Sequence, residues 1–322
     1  MKLTDMGFVI TDKCTAACKI CCFSCSPANN QLLDKETIKD YIDQLAENNP
    51  EAKALFTGGE ALIYRDMLLE CMRHAKSRGL QSTLVTNCSF AKNLETARKV
   101  VKELVAAGLT SMAVSVDEYH QEFVPVQFVK NVLTAALEKG IEVNIRLMEL
   151  RDEGSIEKAI ELLRPEIYGA KLRVYPIFPV GSAIKDIPKE KFIRICPPEK
   201  AFCPSVRSIT AMFNGDLLMC CSQFAYDIPI VKIGKFGETT LAEAIKNISD
   251  NDFVYVMYMN GLGWYAQMAR QLGYSVDDKY CVACHLCYEL FSNKEFVKQV
   301  APFVEKEAEA IRLKKFFLRE DK

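Results

Sequence analysis

The chain has fourteen cysteines in 322 residues, and their placement is uneven. Five lie between positions 14 and 25, four between 196 and 221, and three at 281, 284 and 287, with Cys71 and Cys88 standing apart. The run Cys14-Thr15-Ala16-Ala17-Cys18-Lys19-Ile20-Cys21 has the spacing C-x3-C-x2-C. Three thiolates from one tight loop suit three irons of a cubane [4Fe-4S] cluster, because soft sulfur ligands favour iron–sulfur chemistry. The fourth iron is then left without a protein ligand, and an open coordination site is where chemistry happens. A zinc knuckle or a group of buried free thiols is the competing reading, although structural zinc sites usually close four ligands in paired C-x2-C spacing. Cys18, Cys22 and Cys25 repeat the spacing in an overlapping register. The register of Cys14, Cys18 and Cys21 is preferred because it begins where a preceding strand can hold it, which leaves Cys22 and Cys25 as outlying thiols.

The elements that must position these thiols read as an α/β alternation. A strand at 7–11 precedes the cysteine loop, and an amphipathic helix runs from the N-cap Asp34 to about 48, with Ile38, Tyr41, Ile42 and Leu45 on one face. Strands follow at 52–56, 81–86, 109–116, 141–148 and 171–177, with helices between them at 62–78, 90–107, 126–139 and 154–164. Such alternation implies a parallel sheet with right-handed crossovers, whose ligands sit at the carboxyl ends of the strands. The Cys14 loop, Gly58-Gly59-Glu60, Thr86-Asn87 and Ser115-Val116-Asp117 all fall at those ends. After Pro179 the alternation stops; a hairpin turning at Asn214-Gly215, a helical stretch at 240–272 and a charged helix at 294–320 follow. The expected division is a core at 1–190 and a smaller C-terminal domain at 191–322.

Composition is ordinary for a globular protein with a sizeable core, with 49% apolar and 26% charged residues. The balance of 41 basic against 42 acidic residues excludes the basic surplus of an electrostatic nucleic-acid binder. No apolar run approaches a membrane span, and Met1-Lys2-Leu3-Thr4-Asp5 lacks the apolar core of a signal peptide. A cytoplasmic protein with no membrane partner is therefore expected, and in that compartment clustered cysteines more often bind metal than form disulfides.

The second cysteine region has the spacing C-x11-G-x4-C from Cys203 through Gly215 to Cys220. A hairpin turning at Asn214-Gly215 brings Cys203 and Cys220 to one end, and two further ligands must come from Cys281, Cys284 and Cys287, one of which is surplus. A zinc or purely structural site is the competing reading here too. Neighbouring side chains on an extended strand point to opposite faces, so if Cys220 faces a cluster, Cys221 faces away from it, towards the barrel mouth. A free thiol there can give a hydrogen atom to a carbon radical; the bland alternative is a buried small hydrophobe.

The first cysteine spacing, placed after strand one of a six-unit pattern with Gly58-Gly59-Glu60 after strand two, resembles the radical S-adenosylmethionine (radical SAM) superfamily. The resemblance implies a partial (β/α)6 TIM-like barrel over roughly residues 5–180. It also implies S-adenosylmethionine chelated to the open iron, its amino group held by Gly58, Gly59 and Glu60. Ser115 and Arg146 match positions that hold the ribose or carboxylate, and Asn87 is a further candidate contact. Ile20 departs from the aromatic residue many members carry but keeps an apolar shield. The spacing from Cys203 to Cys220 resembles the auxiliary-cluster domains of the SPASM and twitch type, implying one further [4Fe-4S] cluster and two in all.

Cys21-Cys22-Phe23-Ser24-Cys25-Ser26-Pro27, Phe56-Thr57-Gly58-Gly59-Glu60, Asp117-Glu118-Tyr119-His120, Cys220-Cys221-Ser222 and Cys284-His285-Leu286-Cys287 together resemble the radical SAM peptide epimerases that make epipeptides. That likeness implies abstraction of a Cα hydrogen from an L-residue of a ribosomally made peptide and return of hydrogen to the opposite face. Carried over by position, Cys221 is the donor, and Cys203, Cys220, Cys284 and Cys287 are the auxiliary ligands, with Cys281 the departure. The partners implied are a precursor peptide and a reductant such as flavodoxin or ferredoxin. The competing functions are a radical SAM enzyme forming thioether or carbon–carbon cross-links, a non-catalytic zinc or iron–sulfur protein, and a small-molecule radical SAM dehydrogenase. Asp117 and His120 are expected to touch substrate or cofactor, or else to form a structural hydrogen bond. With the first strand so near residue 6, a substrate leader is expected to be read by the barrel, the C-terminal domain or a separate partner.

Overall fold

A computed structural model describes residues 1–151, 154–203, 205 and 207–318. Among the described residues nine strands form one sheet: β1 (Asp5–Val9), β2 (Lys53–Thr57), β3 (Gln81–Thr86), β4 (Leu109–Ser115), β5 (Glu142–Glu149), β6 (Lys171–Pro176), β7 (Ser208–Ala211), β8 (Asp216–Leu218) and β9 (Lys232–Lys235). Their order is β6-β5-β4-β3-β2-β1-β7-β8-β9. The first six are parallel and sequential. The helices between them are α1 (Lys35–Asn48), α2 (Arg65–Ser77), α3 (Leu94–Ala107), the single turn α4 (Glu118–Gln121), α5 (Val126–Glu138) and α6 (Ser155–Leu163). This is the expected partial barrel.

Local signals explain where the elements begin. The Asp34 carboxylate accepts the Thr37 N–H at the start of α1, and Asn93 accepts the Thr96 N–H at the start of α3, so each cap satisfies an otherwise orphaned donor. The predicted face of α1, Ile38, Tyr41, Ile42 and Leu45, is buried. Burying each such side chain contributes roughly 1.5–3 kcal/mol. The expected helix at 62–78 starts instead as a tight 3-10 turn, Ala61–Tyr64, before α2.

Beyond residue 180 come the one-turn α7 (Ala183–Asp186), then α8 (Leu241–Ser249), α9 (Asp252–Gln271), α10 (Ala283–Phe291) and α11 (Lys294–Leu318). The expected hairpin forms, but β7 pairs in parallel with β1, Asp5 opposite Ser208 and Phe8 opposite Ala211. The hairpin thus extends the barrel sheet past its first strand, and β9 completes an antiparallel edge. The stretch read as one helical region at 240–272 divides into α8 and α9, and α9 is kinked at Gly261. Its aromatics mostly face inward: Tyr265 is fully buried and meets Phe291 edge-on at 4.8 Å, whereas Tyr258 is exposed. Among the described residues, no helix is long and apolar enough to cross a membrane.

Candidate active site

The first cysteine loop leaves β1 and is clamped from two sides. On one side the turn after β2 closes on it: the Gly59 N–H donates to the Thr11 carbonyl at 2.7 Å and the Glu60 N–H to the Lys13 carbonyl at 2.9 Å. A Cβ on Gly59 would lie 2.3 Å from the Lys13 oxygen, so only glycine permits this approach. On the other side the turn after β6 carries Gly181 at φ +61°, where a Cβ would lie 2.4 Å from the Cys21 and Cys22 carbonyl oxygens. Ser182 N–H donates to the Cys21 carbonyl at 2.9 Å. Sequence reasoning passed over Gly181, although a glycine shortly after Pro179 is a turn signal.

Held this way, Cys14, Cys18 and Cys25 are buried and Cys21 half-buried in one apolar cluster with Ile20, Tyr119 and Phe192. The Cys25 thiol bonds the Cys21 sulfur, and together with the Cys25 N–H at 3.2 Å this outweighs burial and lowers Cys21 to about 6. Burial pushes Cys14 up to about 11 and Cys18 well above its ordinary value. The hydrogen bonds from Cys25 thus favour the charged form of Cys21, whereas burial disfavours it at Cys14 and Cys18. Cys22 is held up by burial, partly offset by the nearby Arg146 guanidinium. Thiols of both overlapping registers thus lie close together.

The rim residues tie the strand ends to this loop. Glu60 is buried; its carboxylate accepts the Leu62 N–H at 3.1 Å, the Thr86 hydroxyl at 2.9 Å and the Asn87 N–H at 2.8 Å. A carboxylate has about four acceptor sites, so capacity for one more donor remains. Burial raises the Glu60 pKa despite these bonds. The Asn87 amide donates to the Thr15 hydroxyl at 3.0 Å and to the Cys14 sulfur at 3.6 Å. Gly58 packs against the Thr11 backbone as Gly59 does against Lys13. Ser115 and Arg146 are direct partners across β4 and β5. Asp117 caps α4, and both its oxygens reach His120 Nδ1, at 2.8 and 2.9 Å. Desolvation of His120 is outweighed by the Asp117 carboxylate, so its pKa is raised.

The second group is a cavity. Cys203, Cys220, Cys284 and Cys287 line it together with Ser205 and Ser222. Cys284 and Cys287 come from the first two turns of α10, where a spacing of three puts them on one face. The helix was not foreseen, because closely spaced cysteines hide its apolar period. Burial raises all four thiols. Cys281 lies outside this cavity, buried just before α10, with its N–H on His285 Nδ1 at 3.4 Å. Cys221 is the one cysteine of the fourteen that is exposed. Because β8 ends at Leu218, Cys220 stands in a bend and Cys221 follows it, so both lie beyond the strand whose alternation was expected to set their directions. Phe178, which packs on the first thiol cluster, meets Phe224 at 5.4 Å, and Phe224 stacks on His285 at 5.5 Å. These rings thereby run from the first thiol cluster to the helix that carries Cys284 and Cys287.

Among the described residues, no three His, Cys, Asp or Glu side chains gather as they would around a single ion. Thiols spread along a loop or around a cavity suit a multi-iron cluster, in which different irons take different sulfurs. The donor sets, three or four thiols walled by apolar side chains, fit that chemistry.

Residues 8–163 match the family model of the Radical SAM superfamily. The Bacillus subtilis (strain 168) protein YydG, named for peptide biosynthesis, is 24% identical over 305 residues, covering 92% of this chain and 95% of its own. Two solved structures share the fold. The anSMEcpe structure with bound AdoMet and Cp18Cys peptide aligns with a TM-score of 0.53 at 12% identity, over 95% of this chain and 99% of that one. BtrN in complex with AdoMet and 2-DOIA aligns with a TM-score of 0.54 at 13% identity, over 82% of this chain and 89% of that one. The strand order, the clamped thiol loop and the matched residues converge on one conclusion: this chain carries a radical SAM domain over residues 8–163.

Proposed function

We propose that the protein is a radical SAM peptide epimerase that converts L-residues to D-residues in a ribosomally made precursor peptide. The observation carrying this reading is the exposed Cys221 thiol, adjacent in sequence to a four-thiol cavity that can hold a second cluster. The relative YydG, named for peptide biosynthesis, and the peptide-bound anSMEcpe support a peptide as substrate. In this assignment Cys14, Cys18 and Cys21 hold one [4Fe-4S] cluster, and Cys203, Cys220, Cys284 and Cys287 hold another within a unit at 191–322. Gly58, Gly59, Glu60, Asn87, Ser115 and Arg146 line the place for S-adenosylmethionine. When bound, that cofactor and the first cluster would supply a primary carbon radical able to take a Cα hydrogen.

The chain's own residues do the rest. Glu60 offers its remaining acceptor site to an ammonium group and holds Asn87 against Cys14. The apolar wall of Ile20, Tyr119 and Phe192 excludes water and oxygen from the loop. Cys221 returns a hydrogen atom to the face opposite the one that lost it. A flavodoxin or ferredoxin supplies electrons, and the reaction belongs in the cytoplasm. Cross-linking would need no hydrogen donor, so a Cys221→Ala enzyme separates the readings. Incubated anaerobically with S-adenosylmethionine and a candidate precursor peptide encoded beside the gene, it should form 5′-deoxyadenosine but no D-residue. Normal product from that variant would refute the assignment.

A further inference from the structure

Strand β5 alternates between two faces. Val143, Ile145 and Leu147 are buried, so Glu142, Asn144 and Arg146 share the other face. That face looks towards the thiol loop, since the Arg146 guanidinium is near Cys22. Strand register carries it across the barrel: Arg146 stands opposite Ser115 on β4 and opposite Arg173 on β6. Strand β6 is one edge of the sheet, and Arg173 on it is exposed.

The charges on this face do not balance. Lys171, opposite Asn144, pairs with Glu142 at 3.1 Å, and the Asn144 amide donates to the same carboxylate at 3.1 Å. Arg173 donates through Nε to the Asn144 side-chain oxygen at 3.0 Å, which leaves its two Nη groups without a partner among the described residues. Arg146 has no hydrogen bond or ion pair among those residues. Two guanidinium groups thus face each other across neighbouring strands with no carboxylate between them, an arrangement that like-charge repulsion disfavours until an anion is bound. S-adenosylmethionine brings one carboxylate, which Ser115 and Arg146 can hold. Arg173 stands one strand further out, at the open edge, and is left for a second. We propose that Arg173 binds a carboxylate of the peptide substrate, its Nη fork taking both oxygens at the open edge of the barrel. This rests on the peptide-substrate part of the reading above and not on which reaction follows.

The site is tested by binding. Anaerobically purified, cluster-loaded protein with S-adenosylmethionine is titrated into the fluorescently labelled candidate precursor peptide, and Kd is read from anisotropy. A charge-neutral copy of the peptide carries Asn and Gln for every Asp and Glu, and an amidated C-terminus. The parent enzyme should bind the native peptide about tenfold more tightly than the neutral copy, the size expected for hydrogen bonds to a charged group at an exposed site. Arg173→Gln should remove that preference by weakening the native peptide alone, and should leave the Kd of S-adenosylmethionine within about twofold of the parent. Lys171→Gln removes a cation that is already paired on the same strand, and should keep the preference. Its loss there as well would make the effect one of overall charge and overturn the proposal. Equal affinity of the parent for both peptides overturns it, as does a preference that survives Arg173→Gln. Copies altered only at Asp and Glu, or only at the C-terminus, show which carboxylate is held, and either source supports the assignment. A parent enzyme that makes no D-residue yet shows the Arg173-dependent preference would refute the epimerase reading and leave the carboxylate site standing.

Discussion

Asp216 anchors the hairpin that carries Cys220 and Cys221, and replacing it with Asn removes a charge that two lysines share. Its carboxylate accepts Lys235 Nζ at 2.6 Å and Lys232 Nζ at 2.9 Å, with the Asn214 amide at 3.0 Å. Burial opposes the charge, but these partners outweigh it and lower the Asp216 pKa from 3.8 to about 2. A difference of that size corresponds to roughly 2.4 kcal/mol at about 1.36 kcal/mol per pH unit. The lysine side chains are 40% and 56% exposed, so screening by water reduces the net value to about 1 kcal/mol. Because the folded-state pKa is depressed, the contribution is complete above about pH 4 and is lost as the pH falls through about 2. Urea unfolding of Asp216→Asn should therefore show a lower midpoint at pH 7, with the gap to the parent narrowing below about pH 4 and closing as the pH falls through about 2. High salt should shrink the gap at pH 7. A gap that is absent at pH 7, or that persists unchanged in acid, would refute the reasoning.

Three further substitutions probe the site. Gly59→Ala would drive a Cβ to 2.3 Å from the Lys13 carbonyl; it should cost about 1–3 kcal/mol and lower the iron bound per chain, and full iron content would contradict the clamp. Glu60→Ala orphans the Leu62, Thr86 and Asn87 donors and should lower stability by about 2–4 kcal/mol, read as a urea midpoint. Cys281→Ala should retain the iron of the parent in anaerobic preparations, because Cys281 lies outside the four-thiol cavity; loss of iron there would make it a ligand.

Much of the barrel was legible because each strand and helix carries its own period, and the glycine and polar turns mark the strand ends. The parallel pairing of β7 with β1 was not, since it joins residues about two hundred positions apart and leaves no local pattern. The three-thiol spacing was plain, but that Cys25 would bond Cys21 depends on the fold of the loop at Ser24, whose φ is +51°. Gathering Cys203 and Cys220 with Cys284 and Cys287 needed α10, whose cysteines conceal its helical face.

The account's central claim is that a thiol returns hydrogen to an inverted carbon. Anaerobic turnover of a candidate precursor peptide in deuterated water, followed by mass spectrometry of its chirally resolved residues, tests this directly. A thiol exchanges with solvent, so each inverted residue should carry one deuterium at Cα. A product lighter by two hydrogens, or an inverted residue without deuterium, would contradict it.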